Sequence, residues 1–283
     1  MASWQIQAAK DPDTPPEILS SLFKIPECHD FLIENPSAPE GLLAALGVKE
    51  AFTSDPMNRR ISVAKVLSEA PTAEIIERIL TWTEGSLNVL QAGEDPSFVD
   101  HSRLKSYFYP SAAMNPKTPV KYLKEFAKSG DSTTIFYLAP NPSLPISILE
   151  DLAEKLLRAE THDERHEFSR VPENINLSSE YLIQFSKHPA HYIRAAVARN
   201  PSTPKAAQVE LADDSDSYVF FQLQANNSLC EEALLRMCNR NKADIRNSTQ
   251  WVDDYFNNLR KKTLGGGYSE ELKKLVTSHD WPK

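Results

Sequence analysis

Apolar residues recur along this chain with a helical period behind a repeated polar punctuation. Four, five and eight residues past a fixed point stand Ile18, Leu19 and Leu22, then Leu42, Leu43 and Leu46. The same offsets give Tyr122, Leu123 and Phe126; Ile148, Leu149 and Leu152; Tyr181, Leu182 and Phe185; and Ala233, Leu234 and Met237. Such a pattern is one face of a helix. A weaker copy carries Ala207, Gln208 and Leu211. Each stripe is too short to be buried by its own helix, so neighbouring copies must pack on one another.

The punctuation ahead of each stripe is a proline-rich turn. It reads Asp11-Pro12-Asp13-Thr14-Pro15, Asn35-Pro36-Ser37-Ala38-Pro39, Asn115-Pro116-Lys117-Thr118-Pro119, Asn141-Pro142-Ser143-Leu144-Pro145 and Asn200-Pro201-Ser202-Thr203-Pro204. Looser copies begin at Asn174 and Asn226, each 26 residues from Asn200. The first proline stops one segment. The Thr before the second proline is held out of the helical region and predicts a hydroxyl cap. The second proline then suits the first helical position. Thr14 and Glu17 have the spacing of a capping box. Each unit therefore predicts helix, sharp turn, helix, and a fixed period of 24–26 residues predicts an array.

The stretch Ile193-Arg194, Val197-Ala198, Asn200-Pro201 and Thr203-Pro204 resembles the unit of the variant leucine-rich repeat family. Recognisable units cover roughly two thirds of the chain. The resemblance implies an all-α, right-handed α-solenoid of the HEAT/armadillo kind, with one layer of α-helices and one partly 3₁₀. It implies no chemistry. Some relatives hold an iron–sulfur cluster through cysteines, which this chain lacks in clustered form, so no cofactor is carried over.

The regular pattern predicts one array over residues 1–264, of about eight to ten helical hairpins. It is irregular near 84–110 and 153–172, and a hinge and short capping helix or tail follow over 265–283. Trp4, seven residues before Asp11, is placed to cover the end of the core. In Tyr107-Phe108-Tyr109, Phe108 takes the position of Ile193, so the trio reads as helical core. Residues 51–83 are a decayed unit in which Ile75, Ile76 and Ile79 follow Pro71. The charged insertion predicts a helix from Ile146 to about Glu167 that projects into water. Trp251, Tyr255 and Leu259 share a face suited to closing the array, and Leu272, Leu275 and Trp281 could dock the tail.

Composition alters this picture little. Twenty prolines against eight glycines reflect repeated helix starts and stops. The net charge of −8 is uneven: residues 1–186 hold 17 Lys+Arg and 27 Asp+Glu, while 187–283 hold 14 and 12. An acidic front half argues against a general nucleic-acid binder. Cys28, Cys230 and Cys238 form no CxxC and read as free thiols of a reducing cytoplasm. No leader-like or membrane-spanning run is seen.

Candidate chemistry is sparse. His162 and His166 have the i,i+4 spacing of metal ligands, yet the sequence is not HExxH and no third ligand is evident. His188 and His191 read as polar connectors. Arg194, Arg199, Arg236 and Arg240 either bridge repeats through Asp213, Asp214 and Asp216 or line a groove for an acidic partner. No nucleophile elbow or phosphate-cradling glycine loop occurs. The expectation is a non-catalytic scaffold that binds a protein or peptide. The alternatives are a nucleic-acid-binding protein of DNA glycosylase type and a metal-dependent enzyme using His162 and His166.

Overall fold

A computed structural model describes residues 3–39, 67–70, 72–85, 101–239, 258, 261 and 263–278. All secondary structure among these residues is helical. The chain divides into two compact units, Met1–Pro145 and Ile146–Lys283, with the division directly after one copy of the turn motif.

In the first unit α1 (Ser3–Lys10) packs on α2 (Pro16–Leu22) and on α3 (His29–Glu34), which a 3₁₀ turn at Pro26–Cys28 precedes. Further on come α4 (Ala73–Gly85), α5 (His101–Met114), α6 (Val120–Lys128) and α7 (Ser132–Leu138). In the second unit α8 (Ile146–Arg158) and α9 (His162–Glu167) lead to a 3₁₀ turn at Val171–Glu173. Then follow α10 (Ser179–Phe185), α11 (His191–Arg199), α12 (Lys205–Ala212), α13 (Ser217–Ala225), α14 (Glu231–Asn239) and α15 (Glu270–Ser278).

Helices alternate between two rows. In the second unit α11 packs on α13 in one row, and α10 on α12 and α12 on α14 in the other. In the first unit the row contacts include α1 with α3 and α5 with α7. Residues five and eight past the motif's Thr position are buried in every described copy, from Leu19 and Leu22 to Leu234 and Met237. The position four past varies: Tyr122, Ala207 and Ala233 are buried, while Ile18 is exposed. In α11 the run Ala195–Ala198 is wholly buried with Ile193, since small side chains let flanking helices approach on several sides.

The turn motif holds successive units together. Asn200 ends α11 with φ −70° and ψ 123°, the extended conformation that a following proline favours. Its side chain is buried, and its amide nitrogen donates to the carbonyls of Pro172 at 2.7 Å and Asn174 at 2.9 Å. Its Oδ1 accepts from Ser202 N–H at 2.8 Å, and its own carbonyl accepts from Thr203 N–H at 3.1 Å. One unit on, Asn226 donates to Ala198 and to the carbonyl of Asn200. Asn35 repeats the scheme toward Ala9 and Asp11, Asn115 toward Leu67 and Ala70, and Asn141 toward Ala113 and Asn115. Each asparagine thus saturates its own turn and the turn before it, which satisfies buried carbonyls at the ends of helices. Asn174 and Asn226 adopt the same backbone angles with no proline after them, so the ladder holds that conformation without the ring.

The Thr of the motif does not cap the helix that follows. Thr14, Thr118 and Thr203 are buried, and their hydroxyls donate backwards to the carbonyls of Ala8, Ala112 and Val197 at 2.7, 2.6 and 2.5 Å. Pro15, Pro119 and Pro204 occupy the N-cap position and supply no side-chain bond, and the capping box expected of Thr14 and Glu17 is not formed. The preceding helix has orphan carbonyls that need a donor in a buried place, whereas the start of the next helix is open to water. Thr203→Val is therefore expected to cost about 1–2 kcal/mol in urea unfolding, and Thr203→Ser much less. Side-chain caps occur instead at α7, where Asp131 accepts from Thr134 N–H, at α13, where Asp216 accepts from Tyr218 N–H, and at α9. Gly130, with φ +68°, makes the left-handed step between α6 and α7.

Several irregular stretches differ from expectation. The helix expected over 146–167 is broken: α8 ends at Arg158, and Thr161 with Glu164 forms a capping box that starts α9 afresh. The insertion then returns to the core, because Phe168, Val171 and Pro172 are buried and the carbonyl of Pro172 accepts from Asn200. Trp4 is 59% exposed and does not cover the core; α1 buries Ala9 in its place. Phe108 and Tyr109 are buried as core, with Tyr109 Oη donating to Glu125 at 2.6 Å. The decayed unit buries Ile76, Ile79 and Leu80. In that unit Ala70 stands where the ladder asparagine would be. Leu272 is buried and α15 packs on α14, so this part of the tail is docked. The side chain of Leu275, and Trp251, Tyr255, Leu259 and Trp281, lie outside the described residues.

Candidate functional site

Arg194 leaves the middle of α11 and reaches Asp214, which lies in the link after α12. Nε donates to Asp214 Oδ2 at 2.6 Å and Nη2 to Oδ1 at 3.0 Å, while Nη1 donates to the carbonyls of His188 and Pro189. The planar fork of arginine fits this bidentate pairing. Both side chains are mostly buried, and the hydrogen bonds that Arg194 donates to Asp214 raise the Arg194 pKa above its ordinary value, against the effect of burial. Asp214 also accepts from Asp216 N–H. Arg194 is thus occupied in joining one repeat link to the next.

The remaining arginines differ. Arg236 is half-exposed on α14 and pairs with Asp213 and with Glu232. Arg199 is exposed at the end of α11 and makes no ion pair among the described residues. Arg240 lies outside the described residues. Around Arg194 runs an open surface groove of about 480 Å³, whose lining includes Lys187, His188, Pro189, Glu210 and Asp214. Lys187 faces Glu210 at 3.9 Å, so the groove has both signs of charge in balance.

On α12 Gln208 replaces the leucine of other copies at a buried position. Its Nε2 donates to the carbonyls of Thr203 and Ser228, and its Oε1 accepts from Cys230 N–H at 2.7 Å. A polar residue in the apolar stripe is tolerated because every polar atom of its amide is used. The sequence marked it only as a weak copy.

His162 and His166 lie on exposed faces of α9 with ring centroids 6.4 Å apart. Among the described residues no three His, Cys, Asp or Glu side chains gather as a metal cluster. The ring row continues from His162 to Tyr192 at 6.0 Å, from Tyr192 to His191 at 5.7 Å, and from His191 to Tyr218 at 6.3 Å. His188 is part-buried; its Nδ1 accepts from Ala190 N–H, and burial, then the charge of Arg165, then that of Arg194, hold its pKa down.

The three cysteines are unpaired. Cys28 and Cys238 are buried, and burial pushes the Cys238 thiol up to about 12, so it is a protonated core residue and no nucleophile. No described helix is long and apolar enough to cross a membrane. Neither family models, curated proteins nor solved structures give a match to this chain.

Proposed function

We propose that the repeats are of the variant leucine-rich type, wind as a right-handed α-solenoid, and serve as a non-catalytic scaffold that binds a protein or peptide in the cytoplasm. The asparagine ladder carries this reading. It consumes the turn's polar groups internally, unit after unit, and so leaves the outer helix faces free to vary for recognition. The step from repeat architecture to partner binding is one of analogy. Within it, Arg199 and Arg236 are the exposed contact residues, with Arg240 beside them in sequence, and Arg194 braces the groove next to it.

The test is affinity capture from native cell extract with the full chain as bait, followed by reconstitution of the captured protein as a purified complex. A variant carrying Arg199→Glu, Arg236→Glu and Arg240→Glu runs alongside, with Arg194 left intact to preserve the fold. One dominant protein that forms a stoichiometric complex, and whose binding the variant loses, is expected. Recovery of no protein above the bait-free control rejects the scaffold reading.

A further inference from the structure

Two donor atoms at the junction of α9 and α11 are shielded from solvent and have no hydrogen-bond partner among the described residues: Nε of Arg165 and the hydroxyl of Tyr192. A shielded donor left unpaired is costly, so two in one neighbourhood call for a ligand that accepts. They share a neighbourhood because the ring of His162 packs against that of Tyr192, and Arg165 follows His162 by one helical turn. His188 adds a third donor. Its Nδ1 is taken up as an acceptor for Ala190 N–H, which leaves the ring proton on Nε2.

One positive charge at this junction has no ion-pair partner among the described residues. Arg194 is neutralised by Asp214, but Arg165 has no ion pair among the described residues. The nearest carboxylate in sequence, Glu164, is turned to the backbone N–H groups of Glu160 and Thr161. Asp163 points outward beside His162 and is fully exposed. Arg165 sits close enough to His188 to be, after burial, the larger charge effect on that ring, ahead of Arg194.

We propose that Arg165, Tyr192 and His188 form a binding site for an oxyanion, a phosphate or carboxylate group, supplied as a free ion or on a partner's side chain. Three donors and one unmatched positive charge suit an acceptor that is negative, and offer nothing to a cation. The site joins Arg165 of the insertion to His188 and Tyr192 of the following repeat. It does not depend on the scaffold reading, since its ligand can be a free ion. The exposed His162 ring packs edge-on against Tyr192.

The experiment is a titration of the isotope-labelled full chain with inorganic phosphate at constant ionic strength, read at the Arg165 Nε–H resonance and the His188 ring by NMR. A saturable shift of Arg165 Nε–H is expected, with the His188 pKa rising as the anion binds. Tyr192→Phe should weaken binding about five- to tenfold, and Arg165→Gln should abolish it while the circular dichroism stays unchanged. Parallel titrations with O-phosphoserine and with acetate separate the sources: saturation by phosphate and phosphoserine alone assigns a phosphate group, and saturation by acetate assigns a carboxylate. The proposal is overturned if none of these anions saturates the shift, or if chloride reproduces it.

Discussion

Asn200→Ala is expected to destabilise the second unit by about 3–5 kcal/mol, a large part of the 5–15 kcal/mol that holds a typical domain. The substitution removes two donors and one acceptor at once. The carbonyls of Pro172 and Asn174 lose the amide, and Ser202 N–H loses Oδ1. Each buried group so stranded costs about 1–3 kcal/mol. The total falls below the simple sum because the Asn174 carbonyl keeps its bond from Leu177 N–H. Ser202→Ala is the control: it removes one bond to the Ile175 carbonyl at an exposed place and should cost less than about 1 kcal/mol. In an array, stability is a sum over units and their interfaces, so weakening one interface should also broaden the unfolding transition. Urea unfolding followed by circular dichroism reads both effects. An Asn200→Ala midpoint equal to that of Ser202→Ala would falsify the ladder as the main tie between units.

Arg194→Ala should cost about 3–5 kcal/mol for a different reason. It strands a mostly buried carboxylate, Asp214, and removes the donor from the carbonyls of His188 and Pro189. Breaking one side of a buried pair is costly because the other charge stays behind. Arg194→Lys should recover only part of this, since an ammonium cannot serve a bidentate carboxylate and two carbonyls in one plane. Asp214→Ala and the double variant complete a cycle, and the coupling between the two sites should exceed about 1 kcal/mol. Additive losses would mean that the pair contributes little and that each side chain acts alone. Partner binding by Arg194 variants reports on a damaged groove, which is why the capture experiment leaves this residue in place.

The two effects explain which residues the sequence exposed to view. Repetition made the turn motif and the apolar stripe visible, and both are present: Leu19, Leu123, Leu182 and Leu234 are all buried at the same offset. A period is legible because every unit solves the same packing problem with the same residue types. The direction of a hydroxyl is not. Thr203 sits at the right place for a cap, yet its bond goes back to Val197, because only the folded neighbourhood shows which backbone group is buried and lacks a partner. The break at Ala159–Thr161 was written in the capping-box residues Thr161 and Glu164, but a strongly charged stretch masks that signal.

The candidate site divides along the same line. Arg194 stood out because it occupies a repeated position, and its pairing with Asp214 was among the sequence's own alternatives. Arg165 and Tyr192 carried no signal at all. Their interest lies in what they fail to touch, and an unpartnered donor is a property of surroundings brought together from α9 and α11. Sequence by itself determined that this protein is helical, where most helices start and stop, and which residues face the core, since those follow from local backbone preference and periodic burial. Tertiary structure alone decided which polar groups tie one unit to the next and which remain unmatched, because hydrogen bonding and desolvation are settled between residues about 20–28 apart in the chain, where no local pattern reaches.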